Sequence, residues 1–165
     1  MTKRIAILIG APGVGKSTWI QKEFQGECTL IGSDAILETI AADEGLTYND
    51  VFQKYIKVAD RMMWQEFDKV VEVGYDPIIV DRTNMSVKAR AKFFERLKNF
   101  HKGHGYTVEA IVFPMPGTEK LSAEEWNRRL DSRPGKTIPN HVLSSMIEHY
   151  EAPTLSEGFA KITVI

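Results

Sequence analysis

Gly10-Ala11-Pro12-Gly13-Val14-Gly15-Lys16-Ser17 satisfies every fixed position of the phosphate-binding pattern G-x-x-x-x-G-K-[ST]. Immediately before it, Arg4-Ile5-Ala6-Ile7-Leu8-Ile9 is a nearly unbroken apolar run rich in β-branched side chains, as expected of a strand buried on both faces of a parallel sheet. Residues 18–24 after it read as a helix, so the order is strand, glycine loop, helix. Three glycines let the loop wrap tightly and turn its N–H groups inward, forming an anion nest at a helix N-terminus. In such a loop Lys16 is expected to reach the β- and γ-phosphates of a nucleoside triphosphate and the Ser17 hydroxyl to hold Mg²⁺. Gly13, Val14, Gly15 and Thr18 complete the expected nucleotide cradle.

The rest of the chain bounds the answer. Its 165 residues suffice for one well-cored domain, and 43% hydrophobic with 26% charged residues is an ordinary globular composition. A formal net charge of −1 argues against a protein that coats nucleic acid, though not against an enzyme that touches a few phosphates near a strand end. No window approaches the roughly 18 consecutive apolar residues of a membrane span. Residues 1–4 run straight into the first strand, leaving no room for a cleavable signal, and Cys28 has no second cysteine to pair with. A reducing cytoplasmic setting is the expectation. Cys28 itself reads as a small buried hydrophobe.

No repeat, low-complexity tract or linker divides the chain, so residues 1–165 are expected to form a single domain. Strands are expected at 28–31, 77–81, 107–113 and 161–165 besides the first. Helices are expected at 34–42, at 49–73 (capped by Asn49-Asp50 and stopped by Gly74), at 87–100, at 123–131 and at 139–150. Strands alternating with helices imply an α/β fold with a parallel sheet and right-handed crossovers, which binds ligands beyond the carboxyl ends of its strands. The glycine loop, Asp34 and Asp81 all fall at such ends.

Asp81 closes an apolar strand, where an acid can orient Mg²⁺ or its water shell opposite Ser17; the alternative is a turn aspartate bonded to nearby backbone. Asp34 has two readings on spacing alone. It, or Ser33, would cap the following helix, or it would serve as a general base that aligns an attacking hydroxyl. Arg128, Arg129 and Arg133 stand beside Pro134-Gly135-Lys136. Arginines so spaced often decorate a solvated face, but beside a Gly-Pro hinge they also suit a closing lid that brings cations to a transferring phosphoryl group. The four histidines show no metal-ligand spacing; His101 and His104 read as surface residues, and His141 and His149 as structural ones.

Taken together, residues 10–17 with Thr18-Trp19, Ser33-Asp34, Asp81-Arg82-Thr83-Asn84 and Arg129…Arg133-Pro134-Gly135-Lys136-Thr137-Ile138-Pro139 resemble the kinase domain of phage-type 5′-polynucleotide kinases, over essentially the whole chain. That resemblance implies a P-loop kinase-like three-layer α/β/α sandwich with a helical, arginine-bearing lid at about 122–139 and no phosphatase domain, since a D-x-D-x-T motif is missing. It implies ATP- and Mg²⁺-dependent transfer of the γ-phosphate to a 5′-hydroxyl of DNA or RNA, with nucleic-acid 5′ ends as substrate. By position, Lys16 and Ser17 would bind phosphates and Mg²⁺, and Asp34 would be the base. Asp81 would support the metal, Thr83 and Asn84 would lie near the acceptor, Arg129 would stabilise the moving phosphoryl group, and Arg133 would contact the donor nucleotide. Two positions depart from the family. Leu37 stands where it carries an arginine that grips the acceptor phosphate, and Arg82 is inserted before the Thr-Asn pair, where it could supply that contact. A P-loop kinase for a nucleoside, modified base or other small hydroxyl compound, and a P-loop ATPase or switch module, are the alternatives.

Overall fold

The alternation of residues along the first strand organises the molecule. In the computed structural model, which describes residues 2–100 and 105–165, β1 (Lys3–Ile9) lies at the centre of a five-stranded sheet. The other strands are β2 (Thr29–Ile31), β3 (Ile78–Val80), β4 (Tyr106–Val112) and β5 (Lys161–Val164), in the order β2-β3-β1-β4-β5. Every pairing is parallel, with Ile7 opposite both Val80 and Ala110.

Successive side chains of a strand point to opposite faces. Ile5, Ile7 and Ile9 therefore enter a core with Met63 and Phe67 of α3 (Tyr48–Val73) and Phe93 and Leu97 of α4 (Val87–Leu97). Ala6 and Leu8 enter a second core on the other face. There they meet Ile20 of α1 (Lys16–Phe24), Trp126 of α5 (Ala123–Asp131) and Leu143 of α6 (Asn140–Glu148). Burial on both faces is why β1 and β3 read as continuous apolar runs. The expected three-layer α/β/α sandwich is the fold observed. No helix among the described residues is long and apolar enough to cross a membrane.

A third cluster, Leu37, Ala41, Val51 and Ala59, packs α2 (Ser33–Glu44) against α3. Leu37 is wholly buried in it, so the position is a core contact. Elements fall within a few residues of expectation, with one informative correction at α3. Its cap is Thr47 rather than Asn49-Asp50: the Thr47 hydroxyl accepts from the Asp50 N–H at 3.3 Å and the Asp50 carboxylate accepts from the Thr47 N–H at 2.9 Å. Asn49 is engaged elsewhere, accepting from the Thr137 N–H at 3.1 Å. The expected surface placement of His101 and His104 lies outside the described residues, and α4 ends at Leu97, short of the expected residue 100.

The largest polar burial is Arg90 of α4, which has no exposed surface. Its Nε and Nη2 donate to the two carboxylate oxygens of Glu157 at 2.9 and 3.2 Å, and its Nη1 donates to the Asn84 carbonyl oxygen at 2.9 Å. Removing one partner of such a pair strands a buried charge. Glu157→Gln is therefore expected to lower unfolding free energy by about 3 kcal/mol in urea titrations, and a loss below about 1 kcal/mol would contradict the reading of this pair.

Candidate phosphotransfer site

The glycine loop is shaped by close contacts that exclude side chains. A Cβ on Gly10 would come within 2.7 Å of Val14 Cγ2 and 3.0 Å of Phe113 Cβ, and Gly13 and Gly15 take φ of +77° and +107°, the left-handed region that favours glycine. The loop is pinned on three sides. The Gly10 N–H donates to the Thr83 carbonyl at 3.0 Å, Phe113 N–H donates to the Ile9 carbonyl at 2.9 Å, and Trp126 Nε1 donates to the Pro12 carbonyl at 2.7 Å. Helix α1 begins at Lys16 directly behind Gly15, without a side-chain cap, so its first N–H groups remain available to an anion.

Neighbouring strand ends bring the acids to this loop. Gly32, after β2, packs so closely on the segment after β3 that a Cβ there would lie 2.6 Å from the Asp81 carbonyl oxygen. That approach sets Asp34 and Asp81 beside the loop. Of the two readings of Asp34, capping is ruled out: the N-cap of α2 is Gly32, with no side-chain cap, and Asp34 lies in the first turn. Its carboxylate is instead engaged by Tyr48 and Lys136, as is detailed below.

Lys16 Nζ donates to the Gly10 carbonyl at 2.8 Å. Burial lowers its pKa from the ordinary 10.5 to about 8, against the raising influence of Asp81 and Asp34, with Arg133 and Lys136 adding to the lowering. Burial likewise raises the Asp81 carboxyl, opposed by Lys16. These influences place Lys16 in the field of Asp81, Asp34, Arg133 and Lys136.

A cavity of about 1060 Å³ opens here, lined by Gly13, Val14, Gly15, Lys16, Ser17, Thr18, Asp34, Asp81, Arg82, Thr83, Arg129 and Arg133. Among the described residues its lining holds eight lysines and arginines against four carboxylates, in a chain of net charge −1. The cavity is thus an anion trap in a near-neutral protein. Ser17 and Asp81 offer the hard oxygen donors that suit Mg²⁺, whose remaining ligands are ordinarily phosphate oxygens and water.

Three expected site residues acquire more exact roles. Asn84 does not line the cavity: it is buried at φ +49°, and its Nδ2 donates to the Leu8 carbonyl at 2.8 Å and the Arg82 carbonyl at 3.3 Å. It fastens the Asp81-Arg82-Thr83 segment to the end of β1, which corrects its expected place in acceptor contact. Arg129 donates through Nε to Glu125 at 2.9 Å, and its Nη1 lies 3.8 Å from where a Gly15 Cβ would stand. Arg82 faces the cavity from beside Asp60, at 3.6 Å, and Met63.

Lys136, Tyr48 and Glu125 were not singled out as site residues by the sequence. Glu125 is held down to about 2 by hydrogen bonds from Arg128 and then Arg129. Its position three and four residues before them is a recognisable helical pairing pattern. Tyr48 and Lys136 carry no such local signal.

An anion bound in the loop stabilises protonated Lys16. Calorimetric titration with ATP near pH 8.5, in buffers of different ionisation heat, is therefore expected to show net proton uptake that Lys16→Met removes, since the free group titrates at about 8. Absence of uptake in the wild-type protein would contradict the buried state of Lys16. In the free protein the same depressed value makes the Lys16 contribution to stability rise as pH climbs from about 8 towards 10.5, because over that window the unfolded chain binds the extra proton.

Comparison with known proteins places this geometry. The structure resembles a “putative kinase” of Chloroflexus aurantiacus j-10-fl (TM-score 0.68, 21% identity), covering 100% of this chain and 88% of that one. It resembles a chain of the Pnkp1/Rnl/Hen1 RNA repair complex (TM-score 0.64, 20% identity), covering 90% of this chain but 44% of that one. A fungal RNA kinase also matches (TM-score 0.59, 18% identity), over 100% of this chain and 75% of that chain. What is common to them is the P-loop kinase-like α/β fold. Residues 5–153, from the first strand past α6, match the AAA_33 family model, an AAA domain, and the chain belongs to that family.

Proposed function

We propose that this protein is an ATP- and Mg²⁺-dependent kinase that transfers the γ-phosphoryl group to the 5′-hydroxyl of a polynucleotide. The observation that carries the reading is the convergence, around one cationic cavity, of the glycine loop, a carboxylate across from it that does not cap its helix, and the arginines of α5. An ATPase or switch needs the loop and the metal; Asp34 opposite the loop and a hinged arginine segment suit transfer to a bound hydroxyl.

In this mechanism the acceptor oxygen forms its bond to the γ-phosphorus as the bond to the β,γ-bridging oxygen breaks, the hydroxyl proton passes to Asp34, and ADP leaves. Asp34 aligns the hydroxyl for in-line attack. Lys16 and the loop N–H groups hold the β- and γ-phosphates. Arg129, tied to Glu125 by an exposed and hence weak ion pair, can exchange that partner for the phosphoryl oxygens as charge spreads over them. Arg133 approaches the donor nucleotide from the lid. Ser17, with Asp81 behind it, would hold Mg²⁺, which would supply neutralisation of the phosphate charge. Thr83 and Arg82 line the acceptor side, and Arg82 takes the acceptor phosphate that Leu37, buried in the α2–α3 core, cannot reach. The structural likeness to a fungal RNA kinase and to a chain of an RNA repair complex supports this choice of acceptor. Burial of Leu37 is the one observation that favours a smaller hydroxyl compound instead.

The test incubates the protein with γ-labelled ATP and a panel of 5′-hydroxyl oligonucleotides, nucleosides and free sugars. The expected result is label on the oligonucleotides; label on small acceptors alone establishes the second reading, and free phosphate alone an ATPase. Asp34→Asn is expected to lower transfer by about 10²–10⁴-fold with ATP affinity kept. Arg82→Ala is expected to raise the acceptor KM, and an unchanged KM would remove Arg82 from phosphate contact.

A further inference from the structure

Asp34 stands in the first turn of α2 with its side chain 55% exposed, so nothing in its own helix fixes the carboxylate. Two side chains from other elements do. Tyr48, the first residue of α3, donates its hydroxyl to Oδ1 at 2.6 Å. Lys136 brings Nζ to 3.3 Å from Oδ2 and 3.0 Å from Glu38 Oε1. The two oxygens are thus held by different kinds of group, a phenol on a rigid helix and an ammonium on the segment between α5 and α6.

Tyr48 is firmly seated. Its ring packs against Phe52 at a centroid distance of 5.7 Å and carries the Lys136 ammonium 4.4 Å above its centroid. The Thr47–Asp50 capping box fixes the start of α3. Burial, followed by the hydrogen-bonded Asp34 carboxylate, pushes the phenol's ionisation well above its ordinary range, so it remains a donor at every working pH. Lys136 sits differently. It belongs to a segment docked on α3 by Asn49 N–H to the Gly135 carbonyl and Thr137 N–H to Asn49 Oδ1, both at 3.1 Å. Gly135 has φ +70°, and a Cβ there would meet Thr47 at 2.9 Å, so the docking depends on glycine.

We propose that Tyr48 is the positioning residue of the phosphotransfer site: it ties Oδ1 of Asp34 and thereby aims Oδ2 at the acceptor hydroxyl. The inference rests on the kinase reading given above. A carboxylate anchored by one oxygen has lost its free rotation, so its second oxygen keeps one direction towards the cavity. Lys136 occupies that direction in this structure, and displacement of its segment vacates Oδ2 while Tyr48, on α3, stays in place. The acceptor hydroxyl then donates to Oδ2, and its proton ends there as the oxygen bonds to phosphorus.

Tyr48→Phe removes one oxygen and keeps the ring that packs on Phe52 and Lys136. It is expected to lower kcat for the labelled acceptor roughly ten- to a hundredfold, with acceptor KM, ATP affinity and Tm unchanged. In an Asp34→Asn background, where transfer is followed at high enzyme concentration, the same change is expected to cost nothing further, because Tyr48 acts through that carboxylate. An unchanged kcat, a rise in KM alone, or an equal drop with and without Asp34 overturns the inference while leaving the kinase reading intact. A wild-type protein that labels no acceptor overturns both.

Discussion

The ammonium of Lys16 is held 2.8 Å from the Gly10 carbonyl and out of water, beside a carboxylate, Asp81, that is also withdrawn from solvent. Each group stands where burial disfavours its charge, and neither fully compensates the other. An anion in the glycine nest relieves Lys16, and a cation beside Asp81 relieves the acid. The fold maintains this arrangement by contacts that leave no slack: Gly10 between Val14 and Phe113, the Thr83 carbonyl on the Gly10 N–H, and Trp126 on Pro12. Binding energy is stored as an unmet electrostatic demand at the carboxyl end of the central strand.

The opposite side of the cavity is built with weaker interactions. Arg128 and Arg129 share Glu125 on an exposed helix face, and Lys136 bridges Asp34 and Glu38, whose side chains are more than half exposed. Pairs of this kind contribute little to stability and exchange partners readily. The contrast with the buried Arg90–Glu157 pair is functional. Arg90 fixes the Asn84 carbonyl, and through it the segment that carries Asp81, Arg82 and Thr83, whereas Arg128, Arg129 and Lys136 pair with exposed carboxylates. A firmly held strand-end segment facing loosely paired cations suits the proposed transfer, in which the site closes over two substrates and reopens.

Much of this was readable from local pattern. The apolar runs of β1 and β3 report burial on two faces, and the strand-loop-helix order locates the nest, because both are encoded by adjacent residues. Helix α5 also came out at its observed bounds, with Ser122 as its cap. Features set by tertiary contact were not readable. Asn84 looked like an acceptor contact because its position beside Thr83 is the same whether its amide faces the cavity or the Leu8 carbonyl. Asn49 looked like a cap because its bond to Thr137 spans 88 residues. Tyr48 meets Asp34 only through the packing of α2 on α3, and Lys136 only through docking of the segment between α5 and α6; no spacing rule links them.

Direct, in-line transfer from the nest to a hydroxyl held by Asp34 is the central claim, and the stereochemistry at phosphorus tests it most directly. The measurement uses ATP made chiral at the γ-phosphorus with oxygen isotopes and the acceptor that takes the label. A single displacement predicts inversion of configuration in the phosphorylated product. Retention would require two displacements and a phosphorylated side chain, and would contradict the account.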